Sequence, residues 1–361
     1  MTDSASYFAS SYAEARTRFR DAAQNAGAVP ESVTHPLQGP EGEALATDVV
    51  WIGPRDAERV LLTISATHGI EGYCGSGVQS GSLEAGRYRD LPPGLAVMMI
   101  HAINPHGFAW SRRVTEDNVD LNRNFADFDA PLPENPGYTD LHEVICPPSW
   151  DQETIESTVA DLLGYAETHS MAALQQAVSG GQYIYADGLF YGGRGPTWSH
   201  VTLDGLLRRH CGAARKIAVI DYHTGLGPFG YGERICPAPN GSPERARATE
   251  WFKDITSLDD GSSSSAPLVG TNDRGIHRAL AHAEVTQIAL EYGTQPLLDV
   301  INSLRGDNWL HVHGDPASPA ARPIKSEIRR CFYPGTPDWC RSVWDRAVET
   351  ENLALGALAE S

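Results

Sequence analysis

The chain has 361 residues, 41% of them apolar and 20% charged, enough for one large core. Its 28 basic and 46 acidic residues give a formal charge of −18. That surface repels phosphate backbones and anionic lipid, so nucleic acid and membrane are excluded as expected partners. No run approaches the ~18 consecutive apolar residues of a membrane span. The N-terminus shows no basic segment followed by an apolar one, so a cytoplasmic location is the expectation. The six cysteines form no C-x-x-C pair and read as reduced thiols.

In chain order, Phe8, Tyr12, Ala15, Phe19 and Ala22 recur at helical spacing, predicting a helix over 4–26 capped by Asp3 or Ser4. Pro30, Pro36 and Pro40 then predict a loop, and Val49–Ile52 a short strand. Arg59–Ala66 and Leu95–Ile103 are nearly unbroken apolar runs, as are Lys216–Asp221 and Val285–Glu291. Such runs suit strands covered on both faces. Helical patterns fall at about 154–178, 198–211, 243–257 and 275–283, and a last one at about 339–359. Asp259–Ser265 reads as a flexible loop. The alternation predicts an α/β fold: a single-domain mixed, mostly parallel sheet with helices on both faces, spanning 1–361.

Ligands of open α/β sheets bind beyond the carboxyl ends of the strands. Four predicted strands carry chemistry there: His68 to Glu71, Asn104 to Phe108, Tyr222 to Gly225, and Glu291. His68 and Glu71, three residues apart in a turn, set an imidazole beside a carboxylate. With His223 they make two nitrogens and one carboxylate, a catalytic zinc set with one position open for water. The segment from Arg112 to Phe125 gathers Arg112, Arg113 and Arg123 in an acidic chain, which predicts a cationic pocket for a carboxylate.

The ordered set HGIEG, NPHGF, RR before DNVDLNRNF, DYHTG and LEYGT resembles the zinc carboxypeptidase family, closest to its bacterial and fungal branch catalogued as a domain of unknown function. GQYIYADGLFYGGRGPTWS and the stretch from NWLHVHGD to FYP resemble that branch too, so the likeness covers nearly the whole chain. It implies one zinc per chain, held by His68, Glu71 and His223. It implies that Arg113, or else Arg112, polarises the scissile carbonyl, with Asn122 and Arg123 on a substrate carboxylate and Arg112 also counted as substrate-binding. Glu291 becomes the general base and then the acid. The implied activity is that of a metallocarboxypeptidase acting on a peptide. An N-acyl amino acid deacylase of the aspartoacylase type, or a zinc-containing binding protein without catalysis, are the alternatives. An insertion-like region at about 130–195 is expected to shape the pocket rim. The tyrosine that many members swing over the substrate has three candidates, Tyr222, Tyr231 and Tyr292, each of a type that more often packs. His311 and His313 read as structural, His101 and His106 as neighbours of the site, and Cys74 as a buried helix position.

Overall fold

The computed structural model describes residues 4–258 and 261–360. The chain opens on a 3-10 turn, Ser4–Tyr7, followed by helix α1 (Tyr12–Asn25). Strands β1 (Glu31–Gln38), β2 (Ala44–Ile52) and β3 (Arg59–Ile64) come next, then α2 (Gly72–Glu84), β4 (Leu95–His101) and α3 (Pro105–Ala109). Three helices follow, α4 (Pro136–Ile145), α5 (Gln152–His169) and α6 (Met171–Ser179), and then α7 (Trp198–His210). The second half of the sheet is β5 (Lys216–Phe229), β6 (Gly232–Cys236), β7 (Ile255–Ser257) and β8 (Glu284–Gly293). It is interleaved with α8 (Pro243–Phe252) and α9 (Asn272–Ala279), and α10 (Leu297–Val312), α11 (Ala321–Phe332) and α12 (Pro337–Glu360) close the chain.

The eight strands form one sheet in the order β1-β2-β4-β3-β5-β8-β6-β7. The four central strands β4, β3, β5 and β8 run parallel, while β2 pairs β4, and β6 pairs β8, antiparallel. Their apolar runs are buried on both faces. Leu61, Met99, Ile220 and Leu290 pack on one side, with α1, α2 and α12. Leu62, Met98, Val219 and Val285 pack on the other, against α7 and α9. The mixed, mostly parallel sheet between two helical layers is the architecture the sequence predicts.

Several boundaries differ, each for a local reason. The first helix starts at Tyr12 because Ser11 caps it, its hydroxyl accepting from the Glu14 N–H at 3.2 Å. Ser4 belongs to the preceding 3-10 turn, and Asp3 lies outside the described residues. The proline-rich segment is strand β1 and not a loop. It is the sheet edge, where Pro36 needs no ladder donor, and its register shifts between Thr34 and Gln38. The predicted helix over 154–178 is two helices broken at Ser170, whose φ of 112° is left-handed and whose hydroxyl caps α6. The helix expected to reach 257 stops at Phe252, and Ile255–Ser257 is β7 instead. Asp259 and Asp260 of the expected flexible loop lie outside the described residues. Within its remainder Glu233 accepts from both the amide and the hydroxyl of Ser264.

Candidate active site

Two glycine contacts bring the loops after β3 and β4 together. The turn after β3 crosses the one after β4 so closely that a Cβ on Gly69 would lie 2.0 Å from the carbonyl carbon of Gly107. Gly107 is as tight, since its own Cβ would meet the Val114 carbonyl oxygen at 2.4 Å. The glycines of HGIEG and NPHGF are therefore the contact that seats His68 and Glu71 beside Arg112 and Arg113. Gly69 and Ile70 donate from their amides to the carbonyls of Arg113 and Arg112.

His68 caps a 3-10 turn, Gly69–Glu71, so His68 and Glu71 face the same side. His223 lies inside β5, which runs on to Phe229, and not beyond the strand end as the sequence suggests. The three side chains are buried, and each offers a ligand atom within 4.8 Å of the others. His68 Nδ1 is 2.8 Å from Glu71 Oε1, and His223 Nδ1 is 3.1 Å from Glu71 Oε2 and 3.3 Å from His68 Nδ1.

The far nitrogens have carboxylate partners of their own. His223 Nε2 is 2.7 Å from Asp221 Oδ2, and His68 Nε2 is 3.1 Å from Asp120 Oδ1. Each ring thus stands between two carboxylates, one on Nε2 and Glu71 on Nδ1; with a metal ion at the centre, Nε2 would keep its hydrogen for the outer carboxylate and Nδ1 would offer its lone pair. Two imidazoles and a carboxylate converging on one point are joined by Nδ1–H hydrogens when no ion is there and could exchange those hydrogens for a divalent cation. This donor set fits zinc, with outer carboxylates fixing each ring. Arg113 Nη2 also lies 2.8 Å from His68 Nε2. Two donors cannot both point their hydrogens along that contact, and the Asp120 carboxylate favours keeping the hydrogen on Nε2.

Charge follows geometry. Burial disfavours the Glu71 carboxylate, but His68 and His223 outweigh it and hold the carboxyl well below its usual range. Burial likewise disfavours charge on His223, and Asp221 and Glu71 overcome it, raising the imidazole well above the usual range. Glu291 goes the other way: burial first, then the Glu71 charge, lift it to about 7. Its Oε1 accepts from the Leu226 amide at 3.0 Å, which aims it over the same cavity.

Arg113 bonds Glu71 at 3.1 Å and Asp120 at 2.9 Å and faces the cavity. Arg123 faces it too, with its amino groups on the carbonyls of Asn122 and Ser179 and its Nε buried without a partner. Burial pulls its guanidinium down to about 10. Asn122 completes that wall, its Oδ1 held by the Asn272 amide at 2.9 Å. Phe190 lies under both arginines, its ring centroid 5.1 Å from the Arg113 guanidinium and 5.5 Å from that of Arg123.

The structure brings together seven of the eight residues singled out from the sequence. The exception is Arg112, whose guanidinium turns away to Asp307 at 3.1 Å and Asn118 at 2.9 Å and does not line this cavity. The Arg112 backbone is tied to Ile70 and Gly107, and Asp307 and Asn118 hold its guanidinium on the far side. None of the three tyrosine candidates lines the cavity. Tyr222 and Tyr292 point to the opposite sheet face, where they donate to Glu351 and the Val343 carbonyl, and Tyr231 lies against Arg346. His311 is held by Lys325 Nζ, His101 by Ser76, and none of the six cysteines is in a disulfide among the described residues. Sequence reading passed over Asp120 and Asp221, although a D-x-H spacing on a strand puts both side chains on one face. It also passed over Phe190 and Asn272, which no local pattern marks.

The cavity, about 1020 Å³ counting its open mouth, runs from the histidines along the α9 side of the sheet. Helix α6 contributes Gln175 and Ser179 to the lining.

A family model described as a protein of unknown function, DUF2817, matches residues 8–346. None of the curated proteins matches the chain. Among solved structures, carboxypeptidase A from Helicoverpa armigera aligns over 98% of this chain and 74% of its own, at 12% identity and a TM-score of 0.51. The succinylglutamate desuccinylase from Chromobacterium violaceum aligns over 83% of this chain and 74% of its own, at 15% identity and a TM-score of 0.38. The first of these likenesses shows a carboxypeptidase-like α/β fold. No helix among the described residues is long and apolar enough to cross a membrane.

Proposed function

The chain belongs to the DUF2817 family, and from its site we propose that it is a zinc-dependent hydrolase of an amide bond next to a free carboxylate, releasing the C-terminal residue of a peptide. The observation that carries this is the convergence of His68 Nδ1, His223 Nδ1 and the Glu71 carboxylate on one point beside Glu291 and Arg113.

One zinc per chain would be held by His68, Glu71 and His223. When bound there it supplies Lewis acidity, which polarises a carbonyl and makes a water acidic near neutral pH. Glu291, held at Leu226 and raised to about 7, accepts the proton of the attacking water and returns it to the leaving nitrogen. Arg113 donates to the carbonyl oxygen as negative charge develops on it, and removing such a donor costs about 10²–10³-fold. Asn122 and Arg123 hold the substrate carboxylate, and Asp120 and Asp221 keep the two imidazoles oriented. A binding protein without catalysis has no use for a carboxylate near neutral titration and an arginine facing the same cavity.

The deacylase reading uses the same residues, but a cavity with mostly apolar walls favours a peptide residue over a small polar acyl group. The test is a panel of peptides and N-acyl amino acids incubated with the zinc-loaded protein and with chelated protein, read by mass spectrometry. Zinc-dependent loss of one C-terminal residue is the expected result. Cleavage of N-acyl amino acids alone selects the deacylase, and no cleavage of either class overturns the proposal.

A further inference from the structure

Asp221 and His223 stand two apart on β5, so both side chains leave the same face of the sheet. Their partners across the ladder are Ala289 and Glu291 of β8, and Gln287 precedes those two on the same face. The first residue of α9, Asn272, lies over this row and bonds both Asp221 and Gln287.

The amide orientations follow outward from the one carboxylate. Asp221 Oδ2 accepts only, so the Asn272 group 2.6 Å from it is the NH₂. Asn272 Oδ1 then faces Gln287, whose NH₂ donates to it at 3.1 Å. Asp221 Oδ1 takes the Thr67 hydroxyl at 2.8 Å. Both carboxylate oxygens are thus pinned, one from the residue before His68 and one from α9, while Oδ2 also faces His223 Nε2 at 2.7 Å. Asp221, Asn272 and Gln287 are all buried, where such bonds are strongest.

The main chain of Asn272 serves another group. The first N–H groups of a helix have no partner inside it, and the Thr271 side chain does not cap α9. The Asn272 N–H donates instead to Asn122 Oδ1 at 2.9 Å. That bond sets the Asn122 amide and leaves its NH₂ as the donor on the cavity wall. One residue therefore reaches the carboxylate behind His223 with its side chain and Asn122 with its backbone.

We propose that Asn272 is a positioning residue with two separable roles. Its side chain holds Asp221, and through Asp221 the His223 ring, in the orientation that binds the metal. Its main-chain N–H turns Asn122 toward the substrate carboxylate. Gln287 acts one step further out and keeps the Asn272 amide from turning over. Both roles rest on the zinc hydrolase reading above.

Two roles on two groups of one residue predict a split between constants. Asn272→Leu keeps the size of the side chain and the main-chain N–H, and removes the donor to Asp221. Its zinc Kd, measured by competition with a chelator of known affinity, should rise by at least about tenfold, the usual scale for losing an outer partner of a metal-binding histidine. Its KM for a peptide with a free C-terminal carboxylate should stay within about twofold of the parent value. Asn122→Leu should do the reverse, raising KM by at least about tenfold while the zinc Kd stays unchanged. A residue that merely holds α9 in place would move both constants together, and that result overturns the inference. A zinc Kd of Asn272→Leu within about twofold of the parent value overturns it too. Gln287→Met removes the donor to Asn272 Oδ1 and should raise the zinc Kd about threefold. If Asn272→Leu does not fold, this variant decides, and an unchanged Kd overturns the inference. A parent protein that binds zinc and cleaves no peptide defeats the hydrolase reading, and the zinc Kd of Asn272→Leu then supports or overturns the side-chain role by itself. A parent protein that binds no zinc defeats the metal reading and this inference with it.

Discussion

His223 and Glu291 are register partners in the parallel ladder of β5 and β8. Both point to the same sheet face, so backbone pairing sets the distance between a proposed metal ligand and a proposed base. Loop motion cannot easily change it. With two imidazoles and Glu71 already converging, Glu291 is not needed as a ligand. Glu291→Gln should therefore keep zinc content near that of the parent protein and lower single-turnover rates by at least about 10²-fold. Elemental analysis beside rapid-quench kinetics checks both halves. Loss of zinc would make Glu291 a ligand, and an unchanged rate would place the base elsewhere.

The metal assignment has a readout that does not depend on activity. Zinc bound only by the folded state raises the melting temperature, by an amount that grows with the logarithm of its concentration over its Kd. The parent protein should gain thermal stability on titration with zinc and lose it with chelator. The His68→Ala/His223→Ala double variant should show neither shift. Full zinc occupancy in that variant would sink the trio.

The parts of the fold and site that were legible in the sequence are those set by short-range pattern. The apolar runs that became β3, β4, β5 and β8 are buried on both faces, so composition alone marks them. The proposed ligands stand at or near the ends of those runs, and their residue types are chemically distinctive. Less legible was anything decided by a distant partner. Pro36 sits in a strand because β1 is an edge, which only the topology reveals. Arg112 and Arg113 look equivalent in sequence, and Asp307, 195 positions away, separates them. Gln287 looks like one polar residue in a buried strand until Asn272 and Asp221 fix its amide.

A pH-dependent term in stability should come from Asp48, far from the site. It is fully buried in β2, with Arg16 and Arg20 each at 2.7 Å and the Ser32 hydroxyl also bonded to it. Burial raises its carboxyl, but Arg16 and Ser32 outweigh that and leave it below its usual range. A carboxyl depressed in the folded state stabilises in full above its unfolded value of about 3.9, and that stability is lost as pH falls through the folded value. Asp48→Asn should therefore lower the melting temperature at pH 7, and the gap to the parent protein should narrow below about pH 4. A gap that stays constant from pH 7 to pH 3 would remove the ion-pair account.

The carboxylate contact can be probed from the substrate side. Arg123 is buried, with only its Nε left without a partner. Amidating the free carboxylate of a cleaved peptide should cost about 2–5 kcal/mol in kcat/KM, because a buried guanidinium is left without its counter-charge. Equal turnover of free and amidated peptides would exclude Asn122 and Arg123 from that role and indicate an enzyme anchored elsewhere.

Phe190 joins the two arginine functions. Its ring sits within 5.5 Å of both guanidinium groups, and its backbone holds a φ of 53°, a left-handed conformation that bulky residues seldom adopt. The aromatic face offsets part of the repulsion between two like charges that share one cavity wall, at about 0.5–2 kcal/mol for each contact. Phe190→Ala removes that face and lets both side chains move. Arg113 is assigned to the developing oxyanion and Arg123 to the bound carboxylate, so the variant should lower kcat and raise KM together, each by about 3- to 30-fold, with zinc content unchanged. Phe190→Tyr keeps the ring face and should stay near the parent values. A Phe190→Ala protein that folds and shifts neither constant would show that the arginines are held by Asp120, Glu71 and the Ser179 carbonyl alone.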